Sequence, residues 1–228
     1  MPTIVFASPK GGAGKSTSAV VLGTTLAESG ATVTIIDADP NRPVARWSRL
    51  PGKPDNLRVI ADVSEKTIID RIDEEVSKSA FVIVDLEGTA SRMVPYAMSR
   101  ASLVIIPTRG SALDAVEAAS AIEEVRQQER AFRLKIPAVI LFTCTNPALR
   151  PRTLASIEEE FLAQRVPIIS ARLHEREAFR AIFSFGGTLQ TLSDHQVRNL
   201  GAAIKDARGF CAEVIAILRR EQKDVSDE

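Results

Sequence analysis

The sequence predicts an α/β protein, a single domain with a mostly parallel, twisted sheet and helices on both faces. Three observations favour this class. Short apolar, β-branched runs alternate with segments of helical spacing along the chain. Apolar residues predominate in these runs, as expected of strands that helices cover on both sides. A glycine-rich loop joins the first run to the first helical segment.

The predicted elements follow one another without a linker or an internal repeat. Strands are expected at residues 3–7, 33–36, 57–61, 81–84, 103–106, 137–142 and 166–169. Helical spacing marks residues 16–28, 68–76, 112–128, 154–163 and most of 175–220. We therefore expect one domain over residues 1–220, followed by a polar, disordered tail over residues 221–228.

Composition excludes several classes of protein. The chain has 228 residues, of which 45% are hydrophobic, and this is enough for a large core. Cys144 and Cys211 form no CxxC pair, so neither a structural zinc site nor an iron–sulfur cluster is expected. No signal peptide and no membrane-spanning run is recognisable, so we expect a cytoplasmic protein. The 29 basic and 29 acidic residues cancel, and this balance alone indicates no nucleic acid partner.

The strongest motif is the loop SPKGGAGKST over residues 8–17, between a predicted strand and a predicted helix. Its small residues let backbone N–H groups converge on one phosphate, and the following helix adds its positive end. Lys15 is expected at the β- and γ-phosphates, the Ser16 hydroxyl on Mg²⁺, and Thr17 at the α-phosphate. The residues predicted to bind the nucleotide are Gly11, Gly12, Ala13, Gly14, Lys15, Ser16 and Thr17.

Aspartates follow two of the predicted strands. Asp37 and Asp39 stand in the segment IIDADP, and Asp85 ends the segment FVIVD. Ligands of open α/β sheets bind at the carboxyl ends of the strands, so these side chains are expected beside the phosphate loop. A carboxylate there can hold Mg²⁺ through water. Because Asp-Pro also begins turns, a capping role for Asp37 and Asp39 remains open.

The loop departs from the standard Walker A motif. Pro9 occupies the place of the first glycine, and a second lysine, Lys10, precedes Gly11. With this departure the loop resembles the deviant Walker A motif of the ParA/MinD family of P-loop ATPases. The resemblance implies that the protein forms a homodimer on ATP binding, in which Lys10 reaches the ATP of the other subunit. It also implies that Lys10, Lys15 and Asp39 are catalytic, with Asp39 orienting the attacking water.

The same resemblance extends over residues 1–220 and assigns further roles. It implies that Ser16, Asp37 and Asp85 hold Mg²⁺, and that Asn146 in the segment FTCTNP contacts the adenine, although Asn-Pro is also a plain turn. The segment LEGT over residues 86–89 departs from the family's second switch, so Glu87 is either a polar ligand or a solvated loop acid. Residues 37–47 and 174–179 are similar to those of VirC-like ATPases of conjugative DNA transfer.

Basic residues are concentrated in the C-terminal half. Residues 130–220 contain 14 Lys and Arg against 8 Asp and Glu. ParA proteins bind DNA non-specifically as ATP-bound dimers, so the resemblance implies a DNA-binding face here, with solvated helix faces as the alternative. The candidate residues are Arg150, Arg152, Arg180, Arg198, Lys205 and Arg208. The acidic C-terminus argues against the membrane-binding helix of MinD-like relatives, so no membrane partner is expected.

These expectations combine into one function. The chain resembles a small ParA-type ATPase that uses ATP and Mg²⁺, binds DNA and partitions or positions a cargo. A centromere-binding or cargo-adaptor protein is implied as the partner that stimulates hydrolysis, and the protein would be cytoplasmic and associated with the nucleoid. The alternatives are a VirC-like ATPase of DNA transfer, a positioner of a protein cluster, or an ATP-dependent ligase on the same scaffold.

Overall fold

The computed structural model describes residues 1–88, 92–149 and 151–226, with side chains up to residue 223. Its strands are β1 (Thr3–Phe6), β2 (Val33–Ala38), β3 (Leu57–Ile60), β4 (Phe81–Leu86), β5 (Leu103–Thr108), β6 (Ala138–Thr145) and β7 (Leu173–His174). Its helices are α1 (Lys15–Glu28), α2 (Pro43–Ser48), α3 (Ile68–Val76), α4 (Met93–Met98), α5 (Ala112–Phe132), α6 (Arg152–Ala163), α7 (Glu177–Phe185) and α8 (Leu200–Ser226).

The seven strands form one sheet in the order β3-β2-β4-β1-β5-β6-β7, and every pairing is parallel. The predicted α/β class is confirmed, and the mostly parallel sheet is in fact fully parallel. Strand β1 lies between β4 and β5, so the chain leaves β1 towards α1 where the strand order reverses. Such a point opens a crevice at the carboxyl ends of the strands.

Side chains of each strand alternate between two cores. In β1, Ile4 and Phe6 join the core formed with α1, α2, α7 and α8, whereas Val5 joins the core formed with α3, α4, α5 and α6. A strand directs successive side chains to opposite faces of a sheet, which is why a continuous apolar run suits this position. Trp47 packs α2 into the first core, and its indole Nε1 donates a 3.1 Å hydrogen bond to the carbonyl of Gly187.

The structure differs from the sequence prediction in the C-terminal third. The predicted strand at 166–169 contributes only a single bridge between Ile140 and Ile168, and the last strand, β7, lies four residues later. The expected tail begins inside α8, which continues to Ser226. An ion pair of 2.8 Å between Lys135 and Glu221 attaches this last part of α8 to the segment before β6.

Candidate nucleotide-binding site

A cleft of about 670 Å³ opens at the carboxyl ends of β1, β2 and β4. The strand register explains how distant residues meet there, since Asp85 pairs with Phe6 on one side and with Asp37 on the other. The residues that line the cleft are Gly11, Gly12, Gly14, Lys15, Ser16, Thr17, Asp39, Asn41, Glu87, Gly88, Arg109, Cys144, Glu175 and Arg180. Most of the predicted phosphate loop therefore faces one space.

The backbone of the loop is shaped for an anion. Gly12 and Gly14 have φ angles of 76° and 91°, in the left-handed region where glycine is favoured. Gly14 is the N-cap of α1 and supplies no side-chain cap, so the first N–H groups of the helix remain available. The Thr143 hydroxyl donates a 2.7 Å hydrogen bond to the carbonyl of Ala13 and fixes the loop against β6.

Lys15 is buried at the base of this loop. Its Nζ donates hydrogen bonds to the carbonyls of Ser8, at 3.3 Å, and of Lys10, at 3.2 Å. Burial lowers the pKa of Lys15, and the negative charges of Asp85, Asp39 and Glu87 oppose this change. A desolvated ammonium group held by neutral carbonyls is placed to exchange them for a phosphate oxygen.

Asp85 is fully buried, and neither of its carboxylate oxygens has a hydrogen-bond partner among the described residues. Burial raises the pKa of Asp85 to about 7, with a contribution from Asp37 in the same direction, while Ser16 and Lys15 oppose the rise. A buried carboxylate without partners is costly unless a ligand compensates it. The Ser16 hydroxyl lies close enough to Asp85 to favour its charged form, and these oxygens fit the ligands that Mg²⁺ takes together with waters.

The described residues include no cluster of three or more His, Cys, Asp or Glu that could hold a metal ion by itself. This agrees with the way Mg²⁺ is bound in nucleotide sites, where one or two protein oxygens are combined with waters and phosphates. The binding of Mg²⁺ by Ser16, Asp37 and Asp85 stays a prediction.

The two aspartates after β2 already have backbone partners. Asp37 Oδ2 accepts a 2.7 Å hydrogen bond from the N–H of Ala45, and Asp37 Oδ1 accepts one of 3.3 Å from the N–H of Asp39. Asp39 Oδ1 in turn accepts from the N–H of Asn41 at 2.7 Å. Both aspartates thus brace the turn into α2, as the capping alternative describes, while Asp39 also lines the cleft. Burial raises the pKa of Asp37 despite these hydrogen bonds.

Lys10 is paired within its own chain. Its Nζ lies 2.5 Å from Asp114 Oδ1, in the first turn of α5, and its side chain is 41% exposed. The Ser111 hydroxyl also bonds to Asp114, so the carboxylate is held firmly. The predicted contact of Lys10 with a second subunit would require this ion pair to open.

Comparison with known proteins decides the family. The VirC1 protein family matches residues 1–218. Protein ParA of Rhizobium radiobacter is 44% identical over 214 residues, which are 94% of this chain and 96% of that protein. The chain belongs to the VirC1/ParA family of ParA/MinD-type ATPases.

Two solved structures show the same fold as this family member. The apo form of McdA from Cyanothece superposes with a TM-score of 0.73 at 18% identity, covering 91% of this chain and 99% of that one. A putative plasmid partition protein from Borrelia burgdorferi, bound to AMPPNP, gives a TM-score of 0.68 at 17% identity, covering 96% and 99%. Among its described residues, this chain has no helix that is long and apolar enough to cross a membrane.

Asn146 does not line the phosphate cleft. Its Oδ1 accepts a 2.8 Å hydrogen bond from the N–H of Ala148, and its side chain borders a separate cavity of about 560 Å³ that also includes Lys205. A narrow slot that continues the cleft past Thr17 is lined by other residues, among them Cys144, Leu173 and Phe179. The adenine contact of Asn146 therefore remains a prediction.

The candidate DNA-binding residues are dispersed. Arg150 lies outside the described residues, and Arg180 lines the cleft while pairing with Glu175 and Glu177 at 3.2 and 2.9 Å. Four others are exposed, at the start of α6, just before α8 and on α8: Arg152, Arg198, Lys205 and Arg208. The ion pairs of Arg180 make it the weakest of the described candidates.

Sequence reasoning did not select five of the residues that line the cleft: Asn41, Gly88, Arg109, Cys144 and Glu175. Arg109 follows β5, and Cys144 occupies an irregular position of β6 with a φ angle of 51°. Cys144 stands in the segment FTCTNP, whereas Arg109 belongs to no segment singled out in the sequence. Their position at the carboxyl end of a predicted strand was the one signal in the sequence that could have identified them.

Proposed function

We propose that the protein is an ATPase that binds ATP and Mg²⁺ in this cleft and partitions or positions DNA. Asp85 carries the proposal, because a buried and unpartnered carboxylate facing a phosphate loop is costly in the empty protein and is compensated when the cleft fills. The family membership and the AMPPNP-bound relative support the same nucleotide.

Hydrolysis would transfer the terminal phosphoryl group to water. Lys15 would neutralise negative charge on the phosphates, and the N–H groups at the start of α1 would bind their oxygens. Asp39 lines the cleft and would orient the attacking water. Bound Mg²⁺, held by Ser16 and Asp85, would supply further positive charge to the phosphates.

ATP binding would also bring two chains together and release Lys10 from Asp114 towards the second nucleotide. The dimer would place two basic faces on DNA, and a centromere-binding or cargo-adaptor protein would stimulate hydrolysis and so release it. The 44% identity to a protein named ParA favours DNA partition as the process, and the match to the VirC1 family keeps conjugative DNA transfer as a related one.

ATP turnover and DNA co-sedimentation test this proposal, each measured with ATP, with ADP and without nucleotide. We expect DNA binding with ATP alone and a slow turnover. Lys15→Gln should abolish turnover, whereas Asp39→Ala should block hydrolysis but retain ATP-dependent dimers. Asp70→Ala, at an exposed position of α3, is the matched control. Turnover that needs an added carboxylate or amine, with no ATP-dependent DNA binding, would instead indicate a ligase.

The basic face has its own test. The double variant Lys205→Gln/Arg208→Gln removes two exposed charges from α8 and leaves the cleft intact. We expect weaker DNA binding and a shallower salt dependence, with unchanged basal ATP turnover, because each lost phosphate contact reduces the slope by about one. Unchanged DNA binding would place the interface elsewhere.

A further inference from the structure

Arg109 is an exposed arginine at the edge of the nucleotide cleft. It lies between β5 and α5, and its Nη2 donates a 2.6 Å hydrogen bond to the carbonyl of Gly12 in the phosphate loop. A β-carbon on Gly12 would lie 3.6 Å from the same nitrogen. The guanidinium group is therefore held against the loop and lines the cleft.

The charges of the cleft are compensated unequally. Lys10 pairs with Asp114, and Arg180 pairs with two carboxylates of its own segment. Within residues 1–88, 92–149 and 151–226, Lys15 and Arg109 make their hydrogen bonds to backbone carbonyls alone. Asp114 lies near enough to attract the charge of Arg109 but accepts no hydrogen bond from it. A guanidinium group has five N–H donors, so most of the donors of Arg109 remain for a ligand.

The position of Arg109 corresponds to one end of a bound triphosphate. Thr17, in the first turn of α1, is the residue suited to the α-phosphate. Gly11 lies at the opposite end of the loop, where a β-carbon on Gly88 would be 3.1 Å from its nitrogen and 3.0 Å from Lys15 Nζ. Because Gly12 is the neighbour of Gly11, Arg109 lies at the terminal-phosphate end.

We propose that Arg109 binds the terminal phosphate of a nucleoside triphosphate and so makes the cleft discriminate ATP from ADP. This inference rests on the proposed function. The hydrogen bond to Gly12 holds the side chain in place, and the planar guanidinium group presents paired donors that match two phosphate oxygens. ADP, which ends one phosphate earlier, would not reach it.

Equilibrium binding of AMPPNP and of ADP, each with Mg²⁺, tests the inference. Arg109→Gln removes the charge, Arg109→Lys keeps the charge without the fork, and Arg219→Gln is the control on α8. Loss of one charge-assisted contact should weaken AMPPNP binding by Arg109→Gln about ten- to a hundred-fold, with ADP binding within about two-fold of the wild type. The AMPPNP affinity of Arg109→Lys should lie between those of Arg109→Gln and the wild type, and the affinities of Arg219→Gln should match those of the wild type.

Each other outcome is decisive. An equal loss of AMPPNP and ADP would show that Arg109 only shapes the loop through Gly12, and unchanged binding of both would show that it contacts no phosphate. Either result overturns this inference while leaving nucleotide binding intact. A wild-type protein that binds neither nucleotide would instead overturn the proposed function together with the inference. ADP binding by Arg109→Gln also verifies that the variant is folded.

Discussion

Replacing Asp85 by asparagine should change how the stability of the metal-free protein depends on pH. The carboxylate is fully buried and has no hydrogen-bond partner among the described residues, and its pKa is raised to about 7. In the unfolded chain the same group titrates near 3.9. Between about pH 4 and pH 7 the folded protein therefore binds more protons, so its stability falls as the pH rises.

The magnitude follows from the two pKa values. The two pKa values differ by about three pKa units, and each unit corresponds to roughly 1.4 kcal/mol. The free energy of unfolding therefore falls by about 4 kcal/mol between pH 4 and pH 8. Asp85→Asn cannot ionise and should not show this loss. Its amide leaves buried donors unsatisfied at a cost of about 1–3 kcal/mol, but that cost does not vary with pH. The slope of the difference between the two proteins thus isolates the carboxylate.

Urea unfolding in EDTA from pH 4.5 to 8.5 measures this slope. We expect Asp85→Asn to gain stability relative to the wild type as the pH rises, by up to about 4 kcal/mol, most of it below pH 7. Asp70→Asn, on an exposed part of α3, should run parallel to the wild type within about 0.5 kcal/mol. Parallel profiles for Asp85→Asn as well would refute the reasoning, because they would mean that Asp85 ionises at its ordinary pKa in the folded protein.

Two further substitutions test the packing around the site. Gly186→Ala places a β-carbon 2.6 Å from the carbonyl oxygen of Pro51 at a φ angle of 82°, and should lower the free energy of unfolding by about 2 kcal/mol or more. The control Gly201→Ala, which has open space around it, should change the free energy of unfolding by less than about 1 kcal/mol. Thermal unfolding compares the two variants. Thr143→Val removes the hydrogen bond to Ala13 and should cost about 1 kcal/mol while weakening AMPPNP binding measured by calorimetry; equal affinity would show that the loop holds its shape without it.

The sequence predicted the part of the site that depends on local geometry. The loop at 8–17, the strands that place Asp37 and Asp85, and the mostly apolar character of β1 each follow from spacing within a few residues. Because the strands of the sheet are parallel, their carboxyl ends lie along one edge. The residues that directly follow these strands are therefore expected in a common cleft. The strand order and the two separate cores needed the structure, since apolar periodicity does not specify which strand is the neighbour of which.

Contacts between distant residues were beyond the sequence. Lys10 could be recognised as a motif residue, yet its partner Asp114 lies 104 positions away, and Arg109 reaches Gly12 over 97 positions. The segment 166–169 reads as a strand by composition, but it forms one bridge to β6, at Ile140, while β7 pairs with β6 further along, at Thr143 and Thr145. Glu221 pairs with Lys135 across 86 positions, within the part of α8 whose composition is polar.

The electrostatics of the empty cleft explain why a ligand should stabilise this fold strongly. Burial disfavours the charged form of Lys15 and of Asp85, and each is only partly compensated by its neighbours. Lys15 is positive and Asp85 is negative. A nucleotide would bring negative charge to Lys15, and its cation would bring positive charge to Asp85. Ligand that binds the folded state alone adds about 2.7 kcal/mol at a hundred times its dissociation constant. A nucleotide bound with its cation would remove this electrostatic cost of the cleft.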